Sequence, residues 1–544
     1  MAMRDPSSCP HRLVAAVAGL LCLVTLLIHA DGSSYQLTEP AAVPRRTILP
    51  ASFHEHVSRT QRLRPPIAPP PLIASLDAAV LPPVSLFPSW ACSPGGGGAL
   101  VTEDVASSLQ GVSPPNSRSP RVFHVTDYGA DPTGRNDSSD AISRAVADAF
   151  QAPSPGRTLL AGIPNLGGAE VHLDGGIYLV SRPIRLPSTG GGNIKIHGGS
   201  LVATNDFPAD GYLIELRSTA ASGRVAGPSD GLHYEYFTLR DLMLDANFRG
   251  GGIAVIDSLR TTIHNCYIVH FTTEGVLVRR GHETFISNSY VGQHITSGAD
   301  PGERNFTGVG IHLDGNDNAV TDVVIFSAAT GILVSGQANT LTGVHCYNKA
   351  TGWGGVGIYL RLPGLTQTRV LNCYLDYTGI VAEDPVQLLV AGCFFLGDAR
   401  VVLKSVKGVM QGVTIVDNMF SGGGGGLAIV ELDQSGTAFA APDQVVVERN
   451  VVRGMAPRAT SAKGSSRGNG TSWTVDFAPV LLFPDRIDHV EYALRMDDGA
   501  KAAAVFAGHA LRSVAGNKVV VESQVAVPAT VHVAVAQCEL LVTG

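Results

Sequence analysis

One six-residue pattern, apolar, any, Asn/Asp/Gly, any, any, apolar, recurs eight times between Leu239 and Phe420. It reads Leu239-Arg-Asp-Leu-Met-Leu244, then Ile263-His-Asn-Cys-Tyr-Ile268, and ends as Ile415-Val-Asp-Asn-Met-Phe420. The third positions are Asp241, Asn265, Asn288, Asp322, Gly343, Asn372, Gly392 and Asp417, in steps of 24, 23, 34, 21, 29, 20 and 25 residues. A period of 20 to 25 residues with occasional insertions is the mark of a solenoid, in which each repeat buries its apolar face only against its neighbours.

A second series runs in phase with the first. Gly252, Gly275, Gly310, Gly331, Gly357 and Gly379 each open an alternating apolar run, 12 to 15 residues before the next third position. Two strand series at fixed phase, with no amphipathic helix between them, leave one arrangement. Each strand stacks on its equivalent one coil later, about 4.8 Å away, and the hexad counts as one strand of each coil. The expected fold is all-β, a parallel β-helix. A leucine-rich horseshoe is the runner-up, but its Leu-x-x-Leu-x-Leu signature is missing.

The ends of the solenoid also leave signals. Ser139 to Ala149 follows Asp137-Ser-Ser-Asp140 and predicts a capping helix with Asp137 or Ser138 as N-cap. After Trp473 the pattern changes to longer alternating strands, such as Lys518 to Glu522 and Thr530 to Val535, which predict a small C-terminal β domain over 473–544. The β-helix is therefore expected over 121–472. Between Ser33 and Pro120 there is no sustained periodicity, and 15 of the 33 prolines fall there. Residues 31–120 read as a flexible extension or a propeptide, separable from the core. Ahead of them, Arg4, His11 and Arg12 precede an apolar run from Leu13 to Ile28, the layout of a secretory signal peptide over residues 1–30, with a signal anchor as the rival.

Composition narrows the partners. A net charge of −7 argues against nucleic acid, and no later apolar run would hold the exported chain in a membrane. Six cysteines lie beyond the signal region, without CxxC or His-interleaved spacing, so neither a metal nor a cofactor is expected. Cys266, Cys373 and Cys393 share the fourth hexad position, which predicts a stacked, buried column of free thiols. Sequons at Asn136, Asn305 and Asn469 fit a secreted glycoprotein, and a monomer is expected.

The text Val-Thr-Asp-Tyr-Gly-Ala-Asp-Pro-Thr-Gly within Arg121 to Phe150 resembles the entry segment of the pectate-lyase-like superfamily. Leu244-Asp-Ala-Asn-Phe-Arg-Gly-Gly-Gly-Ile253, Gly281-His-Glu-Thr284, Gly315-Asn-Asp-Asn-Ala-Val320 and Leu375-Asp-Tyr-Thr-Gly-Ile380 resemble the Quartet-type plant polygalacturonases. That resemblance implies a right-handed parallel β-helix, secreted to the plant cell wall, which hydrolyses the α-1,4-galacturonosyl bonds of pectin during wall remodelling around pollen. Common polygalacturonases also carry Asn-Thr-Asp, Asp-Asp, Gly-His-Gly and Arg-Ile-Lys in that order. Here none of these stands in its place, and the one Asp-Asp, Asp497-Asp498, is out of register with the coils. The usual site therefore does not transfer.

Register supplies a site of its own. Alternation along the glycine-led strands turns Ile253, Val278, Ile311, Leu313, Val334 and Ile358 inward. The opposite face then carries Arg279, His312, Asp314, Ser335, Tyr359, Arg361, Glu383 and Lys404. Arginine forks suit uronate carboxylates and a tyrosine ring suits a sugar face, so Arg279, His312, Tyr359, Arg361 and Lys404 are candidate binding residues for an acidic polysaccharide. A solvated face with cross-strand ion pairs is the bland reading of the same residues. Glycoside hydrolysis needs two carboxyl groups. In related polygalacturonases the acids lie in turns just before these strands, which points to Asp245, a candidate turn cap as well, and to Glu274. Asp314, on the strip, and His294, in the long insert Gly292 to Gly308 with Asp300, Glu303 and Arg304, complete the catalytic candidates. His282 reads as structural, and Lys349 and Trp353 as groove-edge residues. Two other functions use the same fold: a pectate or rhamnogalacturonan lyase with Arg279 or Arg361 as base, and a non-catalytic wall-binding protein.

Overall fold

The computed structural model describes residues 121–151, 158–217, 231–295, 302, 305–347, 355–497 and 507–538. The signal region, the extension, and the side chains of Asp300, Glu303, Arg304, Lys349 and Trp353 lie outside these.

From Val122–His124 to Val451–Arg453 the chain forms parallel strands that pair coil upon coil. Each complete coil contributes three strands rather than two. In seven of the eight copies the hexad is not a single strand: its first two residues end a strand of one sheet, its third turns a corner, and its sixth lies in a second sheet, whereas the first copy bends at Asp241 within the continuous strand Tyr234–Asp245. All eight third positions have positive φ, between 47° and 65°. In that left-handed region only Gly is free of a Cβ penalty, and Asn and Asp are the side chains that tolerate it best, which explains the composition of the position. Sequence alternation alone does not register a corner of this kind, because the apolar residues on both sides still point inward.

The glycine-led runs form the third sheet. Val276, Ile311, Ile332, Ile358 and Ile380 pair in one register, which stacks Gly275, Gly310, Gly331, Gly357 and Gly379 behind them. These glycines sit where one coil passes closest to the next. A Cβ on Gly275 would lie 2.4 Å from Val291 Cγ1, and one on Gly379 would lie 2.0 Å from the Arg400 carbonyl oxygen. We expect Gly379→Ala to destabilise the protein by about 1–3 kcal/mol or more, because a backbone oxygen has nowhere to go. Gly425→Ala, with nothing within 4 Å, should leave the urea midpoint unchanged; equal midpoints for the two variants would contradict the stacking argument.

Inside, each sheet contributes a continuous apolar column. One runs Leu239, Ile263, Ile286, Val320, Leu341, Val370, Val390 and Ile415, all essentially without exposure. Cys266, Cys373 and Cys393 are buried free thiols beside it. The Cys373 backbone N–H points at Cys393 Sγ, 3.4 Å away.

The two ends of the column are closed differently. The helix Ser139–Ala149 forms with Ser138 at the N-cap position, but the Asp137 carboxylate does the capping, accepting the Ser139 N–H at 3.1 Å. Its Ile142, Ala145, Val146 and Ala149 join the core over the first coils. At the far end Leu482, Phe483 and Cys538 enter the same core.

The C-terminal part is a four-stranded antiparallel sheet, with Lys518–Ala536 at its centre and a core of its own around Trp473, Val521 and Val531. It starts at Ser461, inside the span expected for the β-helix, because the strand Ser461–Asp476 runs unbroken through position 472. Its first ten residues, Ser-Ala-Lys-Gly-Ser-Ser-Arg-Gly-Asn-Gly, carry no apolar alternation, so nothing in them announces a strand. Among the described residues no helix is long and apolar enough to cross a membrane.

Candidate active site

The third sheet turns two columns of side chains outward. One contains Leu277, His312, Leu333 and Tyr359; the other contains Arg279, Asp314, Ser335, Arg361, Glu383 and Lys404. The face is far from a uniformly solvated surface, since Leu277, His312 and Leu333 are less than a tenth exposed.

Glu274 opens a strand of this sheet, and its carboxylate leans onto the face. Oε2 accepts the Tyr212 hydroxyl at 2.5 Å, and Oε1 lies 3.6 Å from His312 Nδ1. His312 Nε2 is 3.2 Å from the Ser335 hydroxyl, which holds the ring across three coils. Burial pushes the Glu274 carboxyl up, but the neighbouring His312 ring and Tyr212 hydroxyl outweigh it, and the group titrates below an ordinary glutamate. Burial and then the Glu274 charge push the Tyr212 hydroxyl up, so it remains a donor. Glu274 is thus a largely buried carboxylate that stays ionised.

The other candidates fall into separate groups. Arg279 Nε pairs with Asp314 Oδ2 at 3.2 Å, with both side chains 41% exposed, and a pair so open to water contributes at most about 1 kcal/mol. Farther along, Glu383 is nearly buried and accepts both the Tyr359 hydroxyl at 2.6 Å and Lys404 Nζ at 3.0 Å. Tyr359 and Lys404 are therefore anchored by one carboxylate, which raises the Lys404 ammonium above its ordinary value. Arg361 is exposed, and its guanidinium has no hydrogen bond or ion pair among the described residues.

Asp245 ends the strand Tyr234–Asp245, and its side chain caps the turn that follows. Its Oδ1 accepts the Asn247 N–H at 2.8 Å and lies 2.8 Å from His270 Nδ1. The His270 ring packs 4.7 Å from Phe248, Phe248 packs 5.1 Å from His294, and His294 stacks on Phe306 at 4.1 Å. Asp245 and His294, far apart in sequence, so meet in one aromatic layer where the second sheet turns into the third. His282 ends the strand Glu274–His282, with its Nδ1 3.3 Å from Asp317 Oδ2.

A polygalacturonase of Arabidopsis thaliana, QRT3, is 61% identical over 419 residues, covering 77% of this chain and 85% of that protein. The chain belongs to the polygalacturonase family. A family profile described as rhamnogalacturonase A/epimerase, pectate lyase-like, matches residues 122–357. Among solved structures, ORF18 of Geobacillus virus E2 is similar with a TM-score of 0.47 at 12% identity, over 78% of this chain and 80% of that one. The A-module of the Azotobacter vinelandii mannuronan C-5 epimerase AlgE6 is similar with a TM-score of 0.39 at 14% identity, over 61% of this chain and 98% of that one.

In this polygalacturonase three neighbours of the candidate carboxylates escape a sequence reading. Tyr212 reaches Glu274 across 62 residues of chain. Its strand, Tyr212–Leu216, lies one step of 39 residues before the next in register, Ile214 to Ile253, well outside the repeat period. His270 and Phe248 sit at positive φ in turns, where alternation gives no direction. The Tyr212 contact has a measurable consequence. A carboxylate held below its ordinary value loses its charge only as pH falls through that lowered value, so if Glu274 is the base, the acid limb of kcat/KM should lie below that of an ordinary glutamate. Tyr212→Phe removes one of the donors that hold it down, and the limb should move up. An unmoved limb would mean that Glu274 does not set it.

Proposed function

We propose that this chain is an exported polygalacturonase that hydrolyses the α-1,4 bonds of polygalacturonate with inversion, on the outward face of the third sheet. Glu274 carries the reading, as a carboxylate kept ionised in a largely buried place beside a histidine and a tyrosine. An inverting glycosidase needs one ionised carboxylate to take a proton from water and one protonated carboxyl for the leaving oxygen, roughly 6.5–9.5 Å apart. Glu274 fits the first role. Asp314 is our choice for the second, because it follows His312 by two residues on the same face, about 6.6 Å further along the strand, and Glu274 leans against His312.

Water between the two would lose a proton to Glu274 while Asp314 protonates the departing sugar oxygen. Arg279 is part of the same scheme. A uronate carboxylate would compete with Asp314 for the exposed Arg279 guanidinium. Arg361, whose fork is unengaged among the described residues, is our candidate for holding a second uronate, with Tyr359 and Lys404 beyond it. We assign Asp245 and His294 to shaping the turn that borders the groove. Residues 1–30 as an export signal, and glycans on the exposed Asn136, Asn305 and Asn469, complete the picture; glycosidase treatment of the secreted protein should lower its apparent mass.

Purified protein and polygalacturonate should give new reducing ends without an ultraviolet-absorbing unsaturated sugar. An unsaturated product that requires calcium would replace hydrolysis by elimination. Arg361→Ala should raise KM with kcat nearly unchanged, because its partner is already charged in the ground state.

A further inference from the structure

The first coils carry a group of side chains that the groove does not use. His124 and His172 are register partners on neighbouring strands, with ring centroids 5.4 Å apart. Both turn Nδ1 toward the same oxygen, Asp174 Oδ1, at 2.6 Å and 2.7 Å. The Thr126 hydroxyl donates to the other oxygen, Oδ2, at 2.9 Å. Asp174 has a φ of 52°, and this left-handed turn places its carboxylate against the two rings. Both imidazoles thus converge on a single oxygen. Two imidazole nitrogens and a carboxylate oxygen, all within 4.8 Å of one another, form a ligand set that a divalent cation satisfies completely.

We propose that His124, His172 and Asp174 form a binding site for a divalent transition metal of the zinc type, separate from the third-sheet groove. Ligands about 2.0–2.1 Å from a tetrahedral zinc lie about 3.3 Å apart, so each Nδ1 need withdraw from the carboxylate by well under 1 Å. The side chains are between 22% and 45% exposed, which allows that shift and gives the ion a path in. The ion takes the place of the Nδ1 protons, and water fills the fourth position. His197 packs against the other side of the His172 ring at 4.7 Å and is itself tied to Glu170 at 3.1 Å, which fixes the orientation of His172. The ion would join Val122–His124 to Asn165–His172, the first strand of the solenoid to its neighbour, and so fasten the end of the stack.

Isothermal titration of the full chain with zinc chloride should give one equivalent bound, and cobalt(II) should show the intense visible absorption of a tetrahedral site. Asp174→Asn is the cleanest variant, because Asn tolerates the left-handed conformation while losing the charge. It should weaken zinc at least tenfold, and the double variant His124→Gln/His172→Gln should abolish the stoichiometric site. Zinc should raise the melting temperature of the parent protein and leave that of Asp174→Asn unmoved. His345→Gln, which alters a lone histidine–carboxylate pair with Asp376, should bind as the parent does. Equal zinc binding by the parent and the double variant, or no binding by the parent at millimolar zinc, would overturn the assignment. Each variant is checked by its circular dichroism, and polygalacturonate cleavage serves as an independent sign of folding.

Discussion

Glu274→Gln is expected to lower the turnover of polygalacturonate by about 10²–10⁴-fold, the usual contribution of a positioned acid–base group. The substitution keeps the shape of the side chain, and its amide oxygen can still accept the Tyr212 hydroxyl. What disappears is the ionisable group. Because the interaction with the attacking water develops only on the way to the transition state, kcat and kcat/KM should fall together while KM changes little. The acid limb of the pH profile should vanish from the residual activity. Near-normal turnover in this variant would move the base to Asp245 or to another carboxylate of the face.

Phe395→Ala should cost about 3–5 kcal/mol of stability, the range for emptying a buried aromatic position. Phe395 and Phe420 stack on successive coils, 4.4 Å apart with nearly parallel rings and almost no exposure. Coils in a solenoid hold only their neighbours, so the loss should show first as local opening around these two coils. The measurement is the urea midpoint together with the position of proteolytic cuts. Met419→Ala, half exposed on the outer side of the strand that carries Phe420, should stay within about 0.5 kcal/mol of the parent. Similar losses from Met419→Ala and Phe395→Ala would contradict the packing described.

Much of the architecture is legible because the backbone itself demands particular residues. Asn265, Asn288 and Asn372 mark corners that only a few residue types tolerate, and Gly275 and Gly379 mark places where a Cβ would strike the next coil. Their spacing therefore carries the coil period. The corner within each hexad is hidden, because inward-pointing residues on either side of it look like one strand. Ser461–Gly470 hides for the opposite reason: both of its faces are polar or partly exposed, so it has no alternation to read.

The site is legible to a different depth. Alternation places Arg279, His312, Asp314 and Arg361 on the outer face, since direction along a strand is local. What those groups meet is set by stacking between coils, which local pattern does not encode. Thus Tyr212 beside Glu274, Glu383 beneath Tyr359 and Lys404, and Asp174 between His124 and His172 emerge only in three dimensions.

The central claim, that the third sheet's outer face cuts the polymer, is tested most directly by a crystal structure of Glu274→Gln with a bound oligogalacturonate. The account predicts sugar lying along the coils from Arg279 to Arg361, uronate carboxylates on those two guanidinium groups, and a glycosidic oxygen within reach of Asp314. Sugar bound on another sheet, with Glu274 and Asp314 away from any glycosidic bond, would contradict it.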